Sequence, residues 1–174
     1  MNKNGFTLIE LIIYAAVFAI MAIILTLFVF NLIGVQAKIK ISKEVSENSQ
    51  RAMEIMLQEI RNAQGVYTTT SAFKSHPGQL SLITTRDTPT GEQTTYIDFY
   101  LDNNNRLCLK REGAEGKAMV SENIKINNLV FNYLTTNSAK SIRIELSATY
   151  IQPSPKSAYQ ATTTLISSAN LRND

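Results

Sequence analysis

The first group with the potential for chemistry is the carboxyl group of Glu10, because of where it stands in the sequence. From Leu11 to Ala37 the chain has no charged residue, and about 20 apolar residues are enough to cross a bilayer as a helix. A carboxylate at the centre of a membrane helix costs about 2.5–3.5 kcal/mol on insertion scales. An ionisable group in this setting therefore predicts a function. The alternative is a carboxylate near the helix end that reaches the lipid headgroups by itself.

The other candidate nucleophiles and bases do not form a catalytic set. The only histidine, His76, lies in a Pro-Gly loop, where a Ser-His-Asp or Cys-His arrangement would have a poorly held base. We interpret His76 as a solvated loop residue. The only cysteine, Cys108, stands between Leu107 and Leu109 and is interpreted as a small strand residue. The sequence therefore predicts no enzyme activity and no cofactor.

Two short segments have a partial likeness to ligand-binding loops. Residues 113–117 read Gly-Ala-Glu-Gly-Lys, but Arg111 replaces the first glycine of a phosphate loop and Ala118 replaces its Ser/Thr. Residues 102–105 read Asp-Asn-Asn-Asn and offer oxygen ligands for Ca²⁺. They lack the glycine and the distant glutamate of a calcium loop, and such runs are ordinary turns. No metal site is predicted.

The N-terminus combines a short leader, a fixed junction and a long apolar run. The leader is Asn2-Lys3-Asn4-Gly5, the junction is Phe6-Thr7-Leu8-Ile9-Glu10, and the apolar run follows from Leu11. A cleaved secretory signal has an apolar core of only about 7–15 residues, and a plain anchor gives no reason for the Gly-Phe junction or for the glutamate. Position for position, this pattern resembles the type IV pilin and pseudopilin family.

The resemblance implies an order of processing and assembly. A prepilin peptidase would cleave between Gly5 and Phe6 and methylate the new amine of Phe6. Glu10 would then pair with the amine of a neighbouring subunit. Two charges that are each costly in lipid become tolerable because they neutralise each other. The implied partners are the peptidase, other pilin or pseudopilin subunits and the membrane. The implied location is the bacterial inner membrane, crossed once, with a cytoplasmic N-terminus and an extracytoplasmic C-terminal domain, and a filament after assembly.

The charge balance neither supports a nucleic-acid surface nor selects the orientation of the anchor. The whole chain carries +3. Cleavage removes Lys3, which lowers Lys plus Arg from 17 to 16 against 14 acidic residues, so the mature chain carries +2. Lys38, Lys40 and Lys43 follow the span, so the positive-inside rule alone does not place the N-terminus inside. The family resemblance places it there.

Beyond the anchor the pattern changes from uniformly apolar to amphipathic. One helical face is predicted from residues at spacings of three, four and seven: Ile41, Val45, Ala52, Met56, Ile60 and Ala63. An ion pair is predicted between Glu47 and Arg51 at i,i+4, and Gly65 is predicted to end the helix. The predicted organisation is a leader over 1–5, a transmembrane helix over 6–37, an amphipathic continuation over 38–66 and a β-rich extracytoplasmic domain over 67–174.

The remaining sequence alternates with the period of β-strands. Strands are predicted over 80–83, 96–101, 106–110, 123–134, 141–150 and 159–166. Laid on the apolar face of the helix, consecutive antiparallel strands make an α+β domain. The predicted fold is therefore type IV pilin-like, with a long N-terminal helix packed against an antiparallel sheet.

A looser resemblance concerns the kind of subunit. Arg51, the segment 56–63 and the tail Leu171-Arg172-Asn173 resemble J-type pseudopilins and W-type minor pilins, which implies a low-copy subunit near a filament tip. The single cysteine and an anchor without proline depart from many major pilins. An alternative is a ligand-binding tip subunit for adhesion or DNA uptake, suggested by Lys110, Arg111 and Lys117. A type IV pilus, a competence pilus and type II secretion all remain open as the machine served.

Overall fold

The computed structural model describes residues 7–136, 139–151 and 161–172. One helix, α1, spans Leu8–Asn62. Eight strands follow within the described residues: β1 Gly65–Val66, β2 Leu80–Thr84, β3 Thr95–Leu101, β4 Leu107–Arg111, β5 Lys117–Ala118, β6 Ile124–Thr136, β7 Ala139–Tyr150 and β8 Thr162–Asn170. The chain divides into two compact units, residues 1–39 and residues 40–174. The predicted α+β fold class, a long apolar N-terminal helix followed by antiparallel sheets, is confirmed.

In the first unit, the described residues after Thr7 form the apolar part of α1. Over an 18-residue window its mean hydropathy is 2.8, and the helix is long and apolar enough to cross a membrane. Its large side chains are exposed and not covered by protein, as Phe18 shows at 74% exposure. Two of its polar side chains bond inside the helix: Thr26 Oγ1 donates to the Ala22 carbonyl at 2.7 Å, and Asn31 Nδ2 donates to the Leu27 carbonyl at 2.9 Å. Each of these bonds satisfies a side-chain donor inside the helix and without water, as a hydrocarbon environment favours.

The second part of α1 supplies one wall of the core in the second unit. Four residues of the helix, Val45, Ala52, Met56 and Ile60, are fully buried, as is Ala63 directly after its end. This confirms the predicted apolar face, except that Ile41 is only partly buried. Such a face stabilises a helix through tertiary packing more than through its intrinsic propensity.

Two local predictions for this part of the helix are wrong. Glu47 pairs with Lys43 at 3.5 Å instead of with Arg51. The helix ends at Asn62, and Gly65 begins β1, where it pairs with Ile83. The chain therefore leaves the helix directly into the sheet.

The strands form two antiparallel sheets. The first has the order β1-β2-β3-β4-β5, and the second has the order β6-β7-β8. β3 and β4 form the predicted hairpin, with Leu101 opposite Leu107, and β6 pairs with β7 along its length with a bulge between Ile126 and Asn128. The two-residue strands β1 and β5 were not predicted, and β8 continues to Asn170. The predicted start of the last strand, residues 159–160, lies outside the described residues.

A loop closes the outer edge of β6. Backbone amides of Lys74 and Gly78 donate to the carbonyls of Phe131 and Leu129, each at 2.9 Å. A Cβ at Gly78 would stand 2.8 Å from the Leu129 carbonyl oxygen, so only glycine allows this approach. The loop protects a strand edge that would otherwise be open to pairing with another chain.

Candidate assembly site at the helix start

Thr7 and Glu10 form a reciprocal cap at the start of α1. The Glu10 carboxylate oxygen Oε2 accepts hydrogen bonds from the Thr7 backbone amide at 3.0 Å and from Thr7 Oγ1 at 2.8 Å. In return, the Glu10 backbone amide donates to Thr7 Oγ1 at 3.4 Å. The Thr7 carbonyl accepts the first helical bond, from the Leu11 amide at 3.3 Å. This is a capping box, in which a Ser/Thr and a Glu three residues later satisfy backbone donors that a helix start leaves unpaired.

The cap fixes where the carboxylate lies. Both side chains are exposed, and among the described residues only Thr7 donates hydrogen bonds to the Glu10 side chain. The carboxylate is thereby turned back toward the N-terminal side of the helix, where backbone donors and the helix dipole favour a negative charge. Gly5 and Phe6, the predicted cleavage and methylation residues, lie outside the described residues.

The comparisons with known proteins identify the N-terminal pattern. A family model for the prokaryotic N-terminal methylation motif matches residues 1–26. No curated protein sequence and no solved structure matches the chain. The match covers the leader, Glu10 and the first part of the apolar helix, and it is the signature of type IV pilins and pseudopilins. The motif indicates a structural subunit, and it implies processing by a prepilin peptidase, membrane association and assembly with other pilins.

His76 has a structural role that the sequence did not predict. Its Nδ1 atom accepts a hydrogen bond from the Leu129 backbone amide at 3.1 Å. The residue is exposed, as a solvated loop histidine would be, but it also ties the loop over 74–78 to the edge of β6. Local sequence patterns could not predict this hydrogen bond because its two partners are 53 residues apart.

Cys108 is buried and has no disulfide partner. Because side chains alternate along a strand, Cys108 lies on the face of β4 opposite to Leu107 and Leu109. Burial is the main cause that raises the pKa of the Cys108 thiol, and the thiolate is the nucleophilic form. The structure gives this cysteine the properties of a packed strand residue.

The Asp-Asn-Asn-Asn segment is a turn whose carboxylate already has protein partners. Asp102 Oδ1 accepts from the backbone amides of Asn104 at 2.9 Å and Arg106 at 2.8 Å. Oδ2 accepts from Arg106 Nε at 2.8 Å and lies 2.8 Å from Nη2. Burial by itself raises the pKa of the Asp102 carboxyl, but these hydrogen bonds outweigh it and the pKa is lowered. Within the described residues, no group of three or more His, Cys, Asp and Glu side chains is placed to hold a metal ion.

The three cations suggested for a basic tip surface do not lie together. Arg111 points toward the helix and pairs with the buried Glu59, at 2.7 Å between Nη2 and Oε1. Lys110 is its neighbour on β4 and faces the opposite side of the sheet, in a cleft with Asp98 and Glu112. Lys117 lines a different pocket, with Arg51 of α1. The structure therefore does not form one basic surface from Lys110, Arg111 and Lys117.

The buried ion pair is the main feature that sequence reasoning missed. Glu59 is 8% exposed, and Arg111 Nη1 also lies 3.5 Å from Asp87 Oδ2. The pair joins α1 to β4 across a separation of 52 residues. In the sequence, the one hint was the position of this glutamate at the end of an apolar helical face. A charge that is buried there needs a partner.

Proposed function

We propose that this chain is a minor pilin or pseudopilin, a structural subunit that is assembled into a type IV pilus or a type II secretion pseudopilus. The observation that supports the proposal most strongly is the methylation motif over residues 1–26, which lies on a helix that continues into the core of an α+β domain. A membrane-crossing segment and a folded domain on one helix are what a filament subunit needs, because the segment holds the subunit in the bilayer before assembly.

Processing occurs at the junction between Gly5 and Phe6, and the new amine of Phe6 is methylated. The N-terminus is then cytoplasmic, and the domain over 67–174 lies outside the inner membrane. N-terminal sequencing of the membrane-extracted protein should begin at Phe6. A chain that begins at Met1, or one cut near Ala37, would contradict the processing step.

Glu10 acts in subunit docking. The capping box orients its carboxylate toward the helix start, and the amine of a neighbouring Phe6 reaches this carboxylate during assembly. Charge neutralisation then lowers the cost of holding both groups in lipid. Thr7 is a positioning residue for this contact, because its hydroxyl and amide hold the carboxylate before the partner arrives.

Glu10→Ala tests docking separately from processing. Removing a lone charge favours insertion, so the variant should still enter the membrane and still be cleaved, yet its incorporation into filaments or tip complexes should be lost. Immunoblots of membrane and sheared-filament fractions measure both steps. Glu54→Ala, which removes an exposed carboxylate of the same helix outside the span, is the matched control. Normal incorporation of Glu10→Ala would contradict the docking role. It would leave the alternative in which the carboxylate only reaches the lipid headgroups.

A further inference from the structure

The solvent-facing side of the five-stranded sheet carries an open cleft with a volume of about 350 Å³. Its lining includes Tyr67, Thr70, Tyr96, Asp98, Lys110 and Glu112, and we refer to it as the tyrosine cleft. All of these residues belong to the second unit, and none of them takes part in the capping box or the methylation motif. Volumes of about 300–1,000 Å³ are typical of small-molecule sites.

Two tyrosine rings form one wall of the tyrosine cleft. Tyr67 and Tyr96 meet edge to face, with ring centroids 5.2 Å apart and an interplanar angle of 63°. Tyr67 is 37% exposed. Within the described residues neither hydroxyl has a hydrogen-bond partner, so both are available to a ligand. A tyrosine offers an apolar ring and a polar tip together, which suits a ligand that has both kinds of surface.

The Asp98 carboxylate of the tyrosine cleft is held in place without being neutralised. Asp98 and Lys110 stand directly opposite each other on β3 and β4, but they form no ion pair within the described part of the chain. The buried Ser81 orients Asp98: its Oγ donates to Asp98 Oδ1 at 2.5 Å and accepts from Thr70 Oγ1 at 2.7 Å. Asp98 is therefore a fixed acceptor, and the Lys110 ammonium is a donor with all its hydrogen bonds still to make.

The balance of charge selects the class of ligand. Two carboxylates, those of Asp98 and Glu112, face one ammonium group, so the tyrosine cleft repels a polyanion such as DNA. Aromatic rings beside unpaired donors and a fixed acceptor fit a neutral ligand rich in hydroxyl groups. We propose that the tyrosine cleft binds a neutral oligosaccharide. The C–H face of a pyranose packs on a tyrosine ring, and its hydroxyls bond to the Asp98 carboxylate and the Lys110 ammonium.

The test uses the full chain in phosphatidylcholine nanodiscs, which present no sugar headgroup. Chitotriose, cellotriose and maltotriose are titrated separately and followed by saturation-transfer NMR. At least one of them should bind with a dissociation constant of about 1 mM or tighter. Tyr96→Ala should weaken binding by about tenfold through loss of the ring, and Lys110→Met should weaken it through loss of the donor. Lys125→Met, an exposed lysine on β6 of the other sheet, should leave it unchanged.

Several outcomes would overturn the proposal. One is that none of the three trisaccharides receives saturation transfer. Another is that Tyr96→Ala and Lys110→Met both bind as the unmodified chain does. A third is salt-dependent binding of a short oligonucleotide that Lys110→Met removes, which would assign the tyrosine cleft to an anion. Lys110 is exposed, so its variant tests the site even if Tyr96→Ala unfolds. Both variants should still be cleaved and enter filaments, which separates this proposal from the assembly role.

Discussion

At the scale of single residues, Glu10 has two successive partners in our proposal. In the isolated chain its carboxylate is held by Thr7, and in the assembled filament it neutralises an amine of the next subunit. The motif Thr7-x-x-Glu10 was visible in the sequence as part of the family resemblance, but the reciprocal cap was not predicted from it. The cap makes a second use of the same glutamate, since it also satisfies the start of the helix.

Asp102 provides the test of electrostatics at this scale. Its pKa is lowered in the folded protein, so it stabilises the fold at pH values above its ordinary pKa of 3.8. That stabilisation is lost as the pH falls through the lower folded value. Asp102→Asn in residues 38–174 should reduce the free energy of unfolding at pH 7 by about 1–2 kcal/mol.

Urea unfolding as a function of pH measures this effect. The difference between Asp102→Asn and the unmodified domain should shrink as the pH is lowered below about 4. Glu115→Gln changes an exposed loop carboxylate and is the control, with an effect within about 0.5 kcal/mol. A difference for Asp102→Asn that stays constant with pH would mean that the carboxylate charge does not hold the turn.

At the scale of elements, prediction succeeded where a pattern repeats over several residues. The buried face of α1 and strands β3, β4, β6 and β7 each show their period over five or more residues, and a repeated period identifies the element. β1 and β5 have two residues each, too few to show a period. The choice between two i,i+4 partners for Glu47 was also beyond local reasoning, because Arg51 instead lines a pocket against β5.

The Glu59–Arg111 ion pair joins two of these elements and can be tested directly. Glu59→Ala leaves the Arg111 guanidinium, which is about one-third exposed, with the longer contact to Asp87 as its only ion pair among the described residues. Breaking one side of a buried pair costs about 3–5 kcal/mol, and the partial exposure places this case near the lower value. Denaturant unfolding of residues 38–174 gives the measurement.

Two further variants complete that experiment. Glu54→Ala removes an exposed carboxylate of the same helix and should cost less than about 0.5 kcal/mol. The double change Glu59→Met with Arg111→Leu should recover most of the stability, because an apolar pair of similar volume needs no charge partner. If Glu59→Ala is as mild as Glu54→Ala, the pair does not tie α1 to the sheet.

At the scale of the whole molecule, the two units have different requirements. The first unit exposes its apolar side chains and needs lipid or neighbouring helices. The second has its own core, which the far end of α1 shares with both sheets. With one cysteine in the chain that core contains no intrachain disulfide, so packing and the Glu59–Arg111 pair hold it together. The position of the apolar segment in the chain was predictable from composition. The tyrosine cleft was not, because it combines residues of β3 and β4 with Tyr67 and Thr70, which lie in a segment that shows no periodicity.

The copy number of the subunit is the remaining prediction at this scale. An anchor without proline lacks the residue that most readily loosens a helix when many copies pack closely. An exposed filament shaft also gains from cross-links that this domain does not have. We therefore expect this chain to be a minor component, far less abundant than the main pilin of the same filament. Quantitative mass spectrometry of sheared filaments measures the ratio, with Glu10→Ala cells as the background control for membrane carry-over. If this chain is the most abundant pilin in those filaments, the minor-subunit assignment is wrong, while cleavage at Phe6 and docking through Glu10 would still stand.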